Sequence, residues 1–64
     1  MKIEGISLTK EMILSPVSYK PFPDCSTDQM EIGVIIDWND SFVKVLYCKS
    51  RIVQATSPSD LVWG

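Results

Sequence analysis

The apolar positions of this chain come in short runs broken by turn-forming residues, and none keeps a helical period for long. Met30–Trp38 (MEIGVIIDW) gives the clearest strand, because Val34, Ile35 and Ile36 are β-branched neighbours suited to a pleated surface. Asn39-Asp40-Ser41 interrupts it with side chains that bond their own backbone, and Phe42–Cys48 (FVKVLYC) resumes the extended pattern. The pair predicts a β-hairpin. Lys49-Ser50 predicts a second tight turn, and Arg51–Ala55 a third strand of the same meander. Upstream, Met12–Tyr19 reads as extended, with Pro16 at an end, edge or bulge because it has no N–H for a ladder. Lys20–Asp28 is the longest loop, with Pro21 and Pro23 on either side of Phe22. Downstream, Thr56–Asp60 predicts one turn of 3₁₀ helix, with φ fixed at Pro58, and Leu61–Trp63 a last short strand. Residues 1–11 carry no clean period. Ser7 capping a helical turn over Leu8–Glu11 and a short strand over Lys2–Ile6 fit equally well.

This order predicts an all-β chain. Residues 12–64 form a small, five-stranded, strongly bent barrel with a 3₁₀ turn before the last strand, preceded by a short helix or strand in residues 1–11. Closing the sheet would remove the edges that invite aggregation. Gly33 inside the strongest strand predicts a bulge, a sharp bend or a close backbone approach.

Strand side chains alternate between faces, and here both faces are apolar. Val43, Val45 and Tyr47 share one face of their strand, while Phe42, Lys44, Leu46 and Cys48 share the other. On the preceding strand, Val34, Ile36 and Trp38 oppose Gly33, Ile35 and Asp37. A 64-residue chain cannot bury all of these in one core. The surplus predicts a second buried surface, made by Ile35, Phe42, Leu46 and Cys48 against another copy of the chain.

Composition narrows the chemistry. Hydrophobic residues make up 45% and charged residues 22%, which favours folding over disorder. No apolar run is long enough to span a bilayer, so a membrane is not an expected partner. No basic start followed by an apolar stretch marks a secretion signal. His is absent, and Cys25 and Cys48 lack metal-ligand spacing, so neither a metal nor a cofactor is expected. Both thiols are expected to be reduced. Asp37 and Asp40 flank a turn, where Asp is favoured for backbone reasons, and no catalytic residue is assigned. No small-molecule substrate is expected either. The net charge is −2, but Lys44, Lys49 and Arg51 follow one another without an intervening acid. They are the candidate nucleic-acid contacts, with RNA as the partner. Trp38, Trp63, Tyr19 and Phe22 are candidates for an aromatic peptide groove.

Three stretches carry a family resemblance: Ile32–Ile36 (IGVII), Val43–Tyr47 (VKVLY) and Ser57–Leu61 (SPSDL). Together they resemble small SH3-like barrel proteins of tailed phages, including those of marine cyanophages. The resemblance implies a fold, and a protein that resides in the cytoplasm of the phage host cell or in the virion. It implies no reaction. A weaker similarity is to Sm-like proteins, five-stranded barrels that form rings and bind RNA. Gly33, the apolar strand and Asp37 are similar to the first Sm motif. The Arg-Gly pair of the second motif is missing, because Ile52 follows Arg51. The functional expectation is a non-enzymatic, homo-oligomeric and ring-forming protein. An RNA-binding module and a monomeric peptide adaptor are the alternatives.

Overall fold

A computed structural model describes all 64 residues. Seven strands form two antiparallel sheets, and no α-helix is present. The small sheet is a hairpin of β1 (Lys2–Ile3) and β2 (Ile6–Ser7). Its turn residues Glu4 and Gly5 both have positive φ, 49° and 80°, as a two-residue type I′ turn requires. A 3₁₀ turn at Lys10–Met12 follows. Residues 1–11 are therefore mostly a hairpin, and Thr9 rather than Ser7 precedes the helical turn, without a side-chain cap. The expected boundary at residue 11 does not divide the core. Ile3 is fully buried, and its carbonyl accepts from the Trp63 indole N–H at 3.0 Å. The Glu4 carboxylate accepts from the Trp63 backbone N–H at 2.8 Å.

The large sheet contains β3 (Pro16–Tyr19), β4 (Glu31–Trp38), β5 (Val43–Tyr47), β6 (Val53–Thr56) and β7 (Leu61–Trp63). Their spatial order is β6-β5-β4-β3-β7. Five strands were expected and five are present. The 3₁₀ turn at Pro58–Asp60 also falls where the sequence predicts it. Closure, however, does not occur: β6 and β7 remain the two edges of an open sheet. The 3₁₀ turn carries the chain away from β6, and β7 adds to the free side of β3, so the ladder never returns to its start.

Local chemistry sets the strand ends. Leu14 adopts φ 72°, which delays β3 to Pro16. Arg51 adopts φ 59° within the β5–β6 turn, where its N–H donates to the Tyr47 carbonyl at 2.8 Å, and β6 begins only at Val53. The β4–β5 turn closes on Asn39, whose Oδ1 accepts from the backbone N–H groups of Ser41 and Phe42, both at 2.8 Å.

The core is small: Ile3, Val17, Ile35, Val43, Val45, Tyr47 and Leu61, with Met1, Leu8, Tyr19, Trp38 and Trp63 packed against it. Two features of β4 shape it. Gly33 is a site of close approach rather than the bulge. A Cβ there would lie 2.5 Å from Val45 Cγ1 and 2.7 Å from the Leu46 carbonyl oxygen. The bulge lies further on, where the register with β5 shifts between Ile35 and Asp37. Ile35 pairs with Val45, Asp37 with Lys44 and Trp38 with Val43. The extra residue, Ile36, reverses the alternation, so Trp38 turns to the core side with Ile35 and Asp37 turns outward.

Gly33→Ala forces β4 and β5 apart at a point where backbone cannot yield. The expected loss is about 1–3 kcal/mol of stability, read from the urea midpoint. An unchanged midpoint contradicts this account of Gly33.

Candidate functional site

Two surfaces of the large sheet carry chemistry. The first is its outer face. Pro16, Val34, Leu46 and Val53 are successive cross-strand partners, so they form one row over four strands. Val34 and Leu46 are half-buried, whereas Val53 is 47% exposed. Ile32, 59% exposed, and half-buried Ile36 flank the row on β4. Asp37 and Lys44 are cross-strand partners beside the row, and both are exposed.

The four residues expected at an oligomer interface divide between two environments. Ile35 is a correction: it is fully buried in the core and unavailable to a partner. Its neighbours on the inner side are Val45 and Val43, because Ile35 pairs directly with Val45. Leu46 is on the outer face. Cys48 is exposed just past β5, and its N–H donates to the Ile32 carbonyl at 3.0 Å. Phe42, 46% exposed, precedes β5 at the opposite end. Both cysteines are free thiols. Pro16, Val34, Ile32 and Val53 were not among the residues expected at an interface; the apolar run in β4 is the signal that points to two of them.

The three candidate nucleic-acid contacts do not form one cluster. Lys49 and Arg51 occupy the β5–β6 turn. Lys44 lies at the opposite end of β5, next to its first residue Val43, and its cross-strand partner is the acid Asp37. Nor do the four aromatic candidates line one groove. Trp38 and Trp63 pack against the core. Phe22 lies with Pro21 and Pro23 in a separate cleft, which shares Asp60 with the one that Tyr19 lines.

The second surface is that latter cleft, about 290 Å³, at the end of the sheet where β6 and the Pro58–Asp60 turn diverge. Tyr19 and Tyr47 form two of its walls, with ring centroids 6.4 Å apart and planes at 81°. The Tyr47 hydroxyl is hydrogen-bonded to the Thr56 hydroxyl at 2.7 Å. Burial, above all, raises the Tyr47 pKa above its usual 10.0; Glu31, Tyr19 and Asp60 raise it further, while the Thr56 hydrogen bond opposes the shift.

Comparison of the chain with protein-family models, with curated proteins and with solved structures found no match.

Tyr47→Phe leaves the buried Thr56 hydroxyl short of a partner and is expected to cost about 1 kcal/mol at neutral pH. The folded state holds the Tyr47 proton more tightly than the unfolded chain does. This contribution to stability is therefore complete below pH 10.0 and is lost as pH rises through the higher folded value. Urea melts across that range should show a shallower alkaline decline for Tyr47→Phe than for the parent. Equal declines contradict the assignment.

Proposed function

We propose that this chain is a non-enzymatic, small protein of the tailed-phage type with an open, SH3-like sheet, and that it pairs with a second copy through the outer face of that sheet. The observation that carries the proposal is the apolar row Pro16–Val34–Leu46–Val53, flanked by Ile32 and Ile36. Isolated apolar residues on a surface are ordinary, but a contiguous row across a sheet marks an interaction site. The SH3-like reading draws support from the three-strand meander β4–β6 and from the 3₁₀ turn that returns the last strand to β3.

The register of β4 and β5 favours a copy of the same chain as the occupant. Consider a two-fold axis parallel to these strands and midway between them. It lays Val34 of one copy over Leu46 of the other, and Asp37 over Lys44, because each pair is in cross-strand register. The face is thus self-complementary in both shape class and charge, as a two-fold interface must be. The host cytoplasm or the virion is the setting this reading implies. An RNA-binding role draws less support, because Asp37 adjoins Lys44 and the other two cations sit at the far turn.

Light scattering after size exclusion tests this directly. The parent chain should elute at about twice its 7.2 kDa monomer mass, with no nucleic-acid absorbance on the peak. Leu46→Lys should give the monomer mass with an unchanged far-ultraviolet circular dichroism spectrum. Lys44→Asp should weaken association, and adding Asp37→Lys to it should restore association. A parent chain that stays monomeric at the highest soluble concentration overturns the proposal.

A further inference from the structure

We propose that the cleft between Tyr19, Tyr47, Glu31 and Asp60 binds a guanidinium group. The two tyrosine rings stand nearly perpendicular with centroids 6.4 Å apart, and both residues line the pocket. Aromatic faces attract cations through their quadrupole, and Tyr is one of the rings that does so. Glu31 and Asp60 add two carboxylates to the lining, while no Lys or Arg lines the cleft. Cross-strand pairing fixes this juxtaposition: Tyr19 pairs with Glu31 on one side and with Leu61, next to Asp60, on the other. The Lys20 N–H donates to the Asp60 carbonyl at 2.7 Å, which anchors the Asp60 backbone at the cleft. Tyr47 senses both carboxylates, since each makes loss of its own proton harder.

The rest of the lining selects among cations. Gln54, Thr56 and Ser57 add side-chain oxygens, those of Thr56 and Ser57 already hydrogen-bonded to the Tyr47 and Ser59 hydroxyls, and polar residues outnumber hydrophobic ones in the lining. A quaternary ammonium group has no donor for them. A guanidinium has five donors in a planar fork, which can stack on an aromatic ring while pairing with carboxylates. The group has two possible sources, an arginine side chain of a peptide or a free guanidinium compound.

The test uses the intact chain and records amide and side-chain NMR shifts during titration. The probes are N-acetyl-arginine amide, its neutral isostere N-acetyl-citrulline amide, and a blocked Gly-Arg-Gly peptide. Acetyl-arginine amide should give saturable shifts confined to Tyr19, Glu31, Tyr47, Gln54–Ser57 and Asp60. Citrulline should bind at least about tenfold more weakly, the scale expected when one charge-assisted contact is lost. Glu31→Gln, a change at an exposed position, should reduce arginine affinity by a similar factor, and the further change Asp60→Asn should abolish saturation. Tighter binding of the tripeptide assigns a peptide source, and equal binding assigns a free guanidinium compound. The proposal is overturned by absence of saturation, by equal affinity for citrulline, or by undiminished affinity of the double variant.

Discussion

Ile36 stands between two registered stretches of the β4–β5 ladder with no partner of its own, and that one extra residue sets the two faces of the sheet. Before it, Gly33 and Ile35 face inward and Ile32 and Val34 face outward. After it, Trp38 faces inward opposite Val43, and Asp37 faces outward opposite Lys44. Without the bulge, strict alternation would aim the Asp37 carboxylate toward the core and Trp38 toward solvent. Burying an unpaired carboxylate is costly, so the bulge is what lets an eight-residue strand serve one core along its whole length. It also leaves Ile32, Val34 and Ile36 together on the outside, where they meet Leu46, Val53 and Pro16.

Sheet opening has the complementary effect on the inner side. The ladder runs β6-β5-β4-β3-β7 and stops, so the inner face is accessible at the end where the Pro58–Asp60 turn leaves β6. Tyr19, Tyr47 and two carboxylates gather there. The N-terminal hairpin adds Ile3 to the core and a hydrogen bond to Trp63, closing off another part of the inner face. Only ten of 64 residues are buried, which is little for a self-sufficient domain and consistent with further burial between copies.

Much of this was legible in the chain before any coordinates. The strands of the meander announce themselves through β-branched runs, and Asn39 and Pro58 mark turns by specific backbone chemistry. Strand faces beyond Ile35 were not legible, because a bulge changes the parity of every following residue and leaves no residue-type signature. Strict alternation groups Ile35 with the polar Asp37, which put Ile35 outside; the bulge separates the two, and Ile35 is found in the core. The late start of β6 has the same kind of cause: Arg51 is an ordinary residue in a left-handed conformation, fixed by its N–H bond to Tyr47. The hairpin turn at Glu4-Gly5 is only half signalled, since Gly5 suits positive φ and Glu4 does not. The tyrosine-lined cleft was invisible because its walls come from β3, β4, β5, β6 and the 3₁₀ turn, residues brought together only by register. Failure to close reflects where β7 pairs, a choice between edges that local sequence does not encode.

The sheet is apolar on both sides, and the proposed pairing would cover its outer side with a second copy. Methyl NMR with a soluble paramagnetic probe, at low and high protein concentration, tests this most directly. The methyl groups of Ile35, Val43, Val45 and Leu61 should be shielded at both concentrations. Those of Ile32, Val34, Ile36, Leu46 and Val53 should be attenuated when dilute and should recover together as concentration rises. Outer methyl groups that stay equally attenuated at every concentration would contradict the account.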